Sequence, residues 1–329
     1  MNLDYFPRGL VIALATYFFA QAACNLAAGW TAHWLAARTR AWPARRAARS
    51  LLLYRMLPGA AALALWGWFC LPGYWSWEPR IREHTSGLAL LAAAAGLAWV
   101  LAPAARAGRA IWQTARLLRQ SRRCGSRLAV ESETAPVLQI QSRYPLLALA
   151  GSWRPRVLIS AAVIEALTRE ELGAALRHEA AHRGARDNLK RLLLLLLPPA
   201  WPGGRGARKL EQEWARQTEW AADDEAAGND GAGRLPLASA LLQLARLQQA
   251  AHGSSETGGL PGLCFSLTGA DTRLSERVNR LLEAPALAPA PPSRKLRGAA
   301  AIGMAGLAMG LAYLPMLHGI HILLEALIR

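Results

Sequence analysis

The sequence predicts a mainly helical membrane protein, with four spanning helices and one α+β domain inserted between the third and the fourth. Three observations carry that class. The 329 residues are 53% hydrophobic and only 18% charged, against roughly a quarter charged in ordinary soluble domains, which argues against a wholly soluble fold and against disorder. Four apolar runs are long enough to cross a bilayer, and the basic residues cluster at their ends.

Leu10 to Leu35 carries no formal charge and is long enough to cross a hydrocarbon core of about 30 Å at about 1.5 Å per residue. Small residues precede Cys24, as before a cleavage site, but Arg8 is offset by Asp4 and the apolar run continues to Leu35. The segment therefore reads as a span, not a removable leader. The second span is Met56 to Leu71, extended back to Leu51 if Arg55 snorkels to the interface. Gly87 to Ala105 is the third, and Gly298 to Leu317 the fourth.

The charge balance of +16 is uneven along the chain. Arg38, Arg40, Arg45, Arg46 and Arg49 separate the first two spans with no acid among them. Arg106, Arg109, Arg116, Arg119, Arg122, Arg123 and Arg127 follow the third, and Arg294, Lys295 and Arg297 precede the fourth. The bias of Lys and Arg toward the cytoplasm puts all three segments inside, with both termini outside a multi-pass cytoplasmic membrane protein. The domains are then 1–105 (three spans), 106–283 (cytoplasmic domain), 284–297 (an Ala/Pro linker) and 298–329 (last span and tail). Topology accounts for the basic excess, and no helix-turn-helix, finger or RNA-binding signature is present, so no direct nucleic-acid contact is expected. Cys24, Cys70, Cys124 and Cys264 are widely spaced with no C-x-x-C pair, so neither a disulfide scaffold nor a cysteine metal site is suggested.

Within the cytoplasmic domain, Val137 to Gln141 and Arg156 to Ser160 read as strands, and Pro145 to Pro155 as the loop between them. A helix starts at Thr168, where Thr168 and Glu171 form a capping box and Leu167 and Leu172 a hydrophobic staple. That helix carries His178-Glu179-Ala180-Ala181-His182, with both imidazoles on one face at i and i+4. Adjacent helical turns can bring two neutral rings to one zinc ion at about 2.0 to 2.1 Å, leaving Glu179 to act as base toward a water the ion activates. A third ligand is required, and a second helix, Lys209 to Ala227, offers Glu219 with Asp223 one turn on, the latter able to hydrogen-bond a ligand histidine. A solvated acidic face is the competing reading, since Glu211, Glu213, Asp224 and Glu225 share the segment.

These stretches resemble the BlaR/MecR antirepressor-type membrane metallopeptidases. The resemblance runs through RPRVLIS (154–160), LTREELGAALRHEAAHRGARDN (167–188), EWAADDEA (219–226) and SERVNRLLE (275–283), and through the layout of three spans before the domain and one after. It implies a gluzincin-like zinc metallopeptidase domain holding one Zn2+ on His178, His182 and Glu219, with Glu179 as base and Asp223 orienting a histidine. It further implies that the strand at Arg156 to Ser160 borders the cleft and pairs with an extended substrate. For the developing oxyanion, Arg277, Arg273 and His252 are the candidates. Sensor members carry an extracytoplasmic penicillin-binding domain after the last span; this sequence ends at Arg329, so β-lactam sensing by this polypeptide alone is not expected.

The function expected is therefore membrane-integral zinc-dependent cleavage of a cytoplasmic protein, in the family's manner a winged-helix transcriptional repressor. The bilayer and that substrate are the partners, with a homodimer left open. Membrane-protein quality control and a non-catalytic signalling or scaffold role are the alternatives. Leu192 to Leu197 reads as a continuation of the histidine helix, with the hairpin through Trp201 to Gly206 either an ordinary helix end or a dip into the interface. Gln21, Asn25 and His33 read as packing residues of the first span, with contact to a ligand as the alternative. Gly253 to Gly262 reads as a loop that gates the cleft or is itself cut.

Overall fold

The structure, a computed structural model, describes residues 2–77, 83–124, 126–127, 137–142, 144–198, 205–228, 230–251, 264–266 and 274–283. The expected linker, the fourth span, the Gly253 to Gly262 loop, Trp201 to Gly204, and the oxyanion candidates His252 and Arg273 lie outside these residues.

A short strand β1 (Asn2–Leu3) leads into α1 (Tyr5–Thr39), and α2 (Ala44–Leu65) runs through a π-helical turn (Trp66–Cys70) into α3 (Leu71–Trp77). Strand β2 (Glu83–His84) pairs antiparallel with β1, and α4 spans Gly87–Cys124. Three helices are long and apolar enough to cross a membrane: Tyr5–Thr39, Ala44–Ser76 and Gly87–Arg123. Each outruns the apolar stretch read from sequence. The second continues past Leu71, where the wide π-turn accommodates Pro72, whose ring nitrogen cannot donate to the usual ladder. Arg55 also departs from expectation: instead of snorkelling to the interface it is buried, its Nε 2.8 Å from Glu211 Oε1.

The polar domain adds β3 (Ser126–Arg127), β4 (Val137–Ile140), β5 (Leu147–Ala150), β6 (Arg156–Ser160), α5 (Ala161–Ala166), α6 (Arg169–Ala185), α7 (Asp187–Leu196), α8 (Arg205–Ala227), α9 (Arg234–Ala251), β7 (Cys264–Ser266) and α10 (Leu274–Glu283). The strands form one mixed sheet in the order β3-β4-β6-β5-β7, with β4 and β6 parallel and the other pairs antiparallel. Two expectations change here. Leu147 to Ala150, read as part of a loop, is a strand; it is buried throughout, so it lacks the polar alternation that marks a half-exposed strand. And β6, expected to pair with a substrate, has β4 on one side and β5 on the other, so its backbone groups are already taken.

One face of the sheet packs on α6, α9 and α10 through Leu147, Leu149, Val157, Ile159, Ala174, Leu241 and Val278. Leu117 and Leu118 of α4 cover the other face, against Leu138, Ile140 and Leu158. Helix α4 is thus unbroken where the third span was expected to end, and its later turns form a layer of the domain. A separate core joins α1, α2, α7 and α8 through Ala32, Ala36, Leu51, Leu52, Leu194, Leu210 and Trp214. Leu192 packs with Ala107 and Ala110 of α4. The leucine-rich end of α7 therefore buries its apolar surface against α1, α2 and α4.

Candidate metal centre

Helix α6 begins where expected. Thr168 Oγ1 accepts from the Glu171 amide at 3.3 Å and Glu171 Oε2 accepts from the Thr168 amide at 2.9 Å, so the capping box closes in both directions. Capping sets the helix phase, and that phase turns His178, Glu179 and His182 inward: the three are 0%, 0% and 1% exposed. Helix α8 packs alongside and brings Glu219 to the same point.

Three ligand atoms converge. His178 Nε2 and His182 Nε2 are 3.1 Å apart, Glu219 Oε2 lies 3.6 Å from the first, and Glu219 Oε1 lies 3.7 Å from the second. A tetrahedral ion with bonds of about 2.0 to 2.1 Å needs ligand atoms about 3.3 Å apart, so the triangle is nearly the size such an ion requires. His178, His182 and Glu219 can therefore hold a metal ion. The far side of each imidazole supports this reading. His178 Nδ1 lies 3.0 Å from Asp223 Oδ1, and His182 Nδ1 lies 2.8 Å from Asp187 Oδ2. A carboxylate at Nδ1 directs the Nε2 lone pair toward the shared point.

Asp223 thus stands where it was expected, whereas Asp187 was not assigned a role from sequence. The signal was present: a ligand histidine needs a partner for its other nitrogen, and an acid follows His182 within the same quoted stretch. What hid it was the reading of one continuous helix. The helix breaks at Arg186, a non-glycine residue with φ 56 and ψ 41, in the left-handed region. The break swings Asp187 back onto His182 and starts α7 in a new direction. Asn188 then donates to the carbonyls of Leu149 at 3.0 Å and Gly151 at 2.7 Å, fixing the start of α7 to the end of β5.

Arg277, on α10, also reaches the site. Its Nε and Nη2 donate to Asp223 at 2.9 and 2.6 Å, and its Nη1 lies 3.0 Å from Glu219 Oε2. Helix α10 is held in turn by Arg280, which makes a two-pronged contact with Asp224 at 2.7 and 2.9 Å. Arg280 and Arg216 both stack on the Trp220 ring, with Arg216 also 3.0 Å from Glu276.

The electrostatics follow from burial and these pairs. Burial pushes the Glu179 carboxyl up to about 7 despite the opposing pull of the two histidines. Among the described residues no side chain donates to its oxygens, and the Leu149 backbone exerts only a lesser downward pull. Burial opposes charge on His178, but Asp223 and Glu219 outweigh it and raise the imidazole to about 9. Burial alone would raise the carboxyls of Glu219 and Asp223; Arg277 beside them, helped by His178, holds both below the ordinary range. The arrangement is two buried imidazoles and one partly exposed carboxylate, with the buried Glu179 carboxyl adjoining them. No protein-family model matches the chain, and no curated protein matches it.

Proposed function

We propose that the protein is a membrane-integral zinc-dependent endopeptidase of the BlaR/MecR antirepressor type, acting on a cytoplasmic protein. The observation that carries this reading is the convergence of His178, His182 and Glu219 within ion-sharing distance, beside a buried Glu179. Two imidazoles and a carboxylate are a donor set that zinc accepts in hydrolases, which keep one position open for water or substrate. Zinc held there supplies a Lewis acid and lowers the pKa of a water it binds.

The chain's own residues do the rest. Glu179 is poised near neutrality, takes a proton from the attacking water and delivers it to the departing amine. Asp223 and Asp187 hold the imidazoles in the tautomer that turns Nε2 inward. Arg277, engaged by Asp223 and Glu219, positions Glu219 and offsets the charge of these two acids. Its donors meet these carboxylates, so the geometry favours placement of a ligand over stabilisation of an oxyanion.

The basic segments support a cytoplasmic domain. Arg45, in the segment joining the first two spans, lies 3.6 Å from Glu225 on α8, so that Arg-rich segment and the domain share one side of the membrane helices. The full chain, purified in detergent and loaded with zinc, tests the reading. Glu179→Gln should retain zinc while losing hydrolysis of an unfolded protein or a candidate repressor by about a hundredfold or more. Retained proteolysis with zinc bound rejects Glu179 as the base, and a wild-type chain that binds no zinc rejects the site.

A further inference from the structure

Two arginines of the long apolar helices are committed to the backbone where one short helix ends, and catalysis as described does not require them. Helix α7 has 10 residues and so runs about 15 Å. Its first residue, Asp187, holds His182, and its second, Asn188, holds the end of β5. At the other end, Arg106 Nη2 donates to the Leu197 carbonyl at 2.9 Å and Arg55 Nη2 donates to the Pro198 carbonyl at 3.0 Å. Leu197 caps α7 in an extended conformation and Pro198 follows it, and a helix C-terminus carries partial negative charge, so the two guanidiniums there donate to the exit backbone and act as counter-charges.

The arginines come from different spans. Arg55 is on α2 and Arg106 on α4, so the end of α7 is held between two membrane helices. Arg55 also binds Glu211 Oε1 at 2.8 Å, two turns before Glu219 on α8. One residue of the second span therefore touches α8, which carries Glu219, and the segment just beyond α7, the helix that carries the carboxylate behind His182. Leucines of α7 pack on α1 and α2 and on α4, so the contact is apolar as well as polar. A helix packed at both ends moves as a rod, and displacement at one end reaches the other.

We propose that Arg55 and Arg106 are positioning residues that link the second and third spans to the metal ligands through α7 and α8, so that displacement between those spans changes metal affinity. This rests on the reading that His178, His182 and Glu219 hold a metal. It assigns the membrane helices a role in setting the site beyond anchoring it, with α7 as the connecting element and the bilayer as the source of displacement.

The test uses the full chain in nanodiscs made with short-chain or long-chain phosphatidylcholines, since mismatch in hydrophobic thickness tilts and shifts spanning helices. Zinc affinity is read by competition with a fluorescent chelator. Wild-type affinity should differ about fivefold between the two bilayers. Arg55→Gln and Arg106→Gln should each weaken zinc binding by about tenfold and remove most of that difference. Arg109→Gln, on an exposed position of the same helix as Arg106, should behave as wild type. Glu211→Gln cuts only the tie to α8 and serves if the arginine variants do not fold; it should reduce the difference by about half or more. A wild-type affinity that ignores thickness, or variants that keep the full difference, overturn the inference while leaving the metal site standing. A wild type that takes up no zinc in either bilayer removes the site reading and the inference together.

Discussion

His178 sits between opposing demands. Buried and flanked by Asp223 and Glu219, it holds a proton up to about pH 9 when no metal is present, yet a metal ligand must be unprotonated. A metal ion bound there would displace that proton, so if the site takes zinc its affinity should rise by about tenfold per pH unit between pH 6 and 8, as followed by chelator competition. Stability of the metal-free protein responds the other way. A folded pKa raised above the unfolded value of about 6.5 adds stability below that pH, and the contribution is lost as pH rises through about 9. Thermal unfolding of the metal-free chain should therefore lose this contribution from pH 6 to 9, while the zinc-loaded protein gains from tighter binding over the same range. Asp187→Asn keeps the size of the side chain but removes the charge behind His182; it should weaken zinc binding by about 10- to 100-fold and leave the fold in place by circular dichroism. An unchanged affinity would deny Asp187 its role.

At the scale of elements, the junction of α6 and α7 decides more than either helix. Arg186 adopts φ 56, a region that costs a non-glycine residue about 1 to 2 kcal/mol, and the conformation turns Asp187 and Asn188 toward His182 and β5. Arg186→Val puts a β-branched residue there and should lower stability by about 1 to 2 kcal/mol and weaken zinc binding. Arg186→Gly, which suits the left-handed region, should stay within about 0.5 kcal/mol of wild type and keep zinc affinity. Equal unfolding curves for the two variants would show that the turn is not under backbone control. The capping box at Thr168 was legible because its pattern is local: two side chains and two amides within one turn. The break at Arg186 was not, because no glycine or proline stands there to announce it.

For the whole molecule, packing among the three long apolar helices sets the frame to which the domain is tied. Gly96 of α4 lies so close to α1 that a Cβ there would stand 2.3 Å from the Leu14 carbonyl oxygen, a backbone atom that cannot move alone. Ala15, Ala92 and Ala93 continue this small-residue contact. Gly96→Ala should push α1 and α4 apart and destabilise the membrane region by about 1 to 3 kcal/mol, read as a lower unfolding temperature in detergent. Because α4 continues from this contact into the layer beneath the sheet, zinc affinity should fall with it. An unfolding temperature equal to wild type would mean that the helices are not held together at this point.

The amino-acid sequence alone determined what depends on short-range periodicity. Apolar runs mark three helices long enough to span a membrane, the i and i+4 spacing sets both histidines on one face, and Glu219 and Asp223 share a face for the same reason. Tertiary structure decided which of these faces meet. It brought α8 against α6 so that Glu219 lies within 3.7 Å of the imidazoles, turned Asp187 back to His182, paired Leu147–Ala150 into the sheet, and directed Arg55 and Arg106 to the end of α7. Periodicity tells a side chain which way to point on its own helix; only packing between helices brings two such directions to one place.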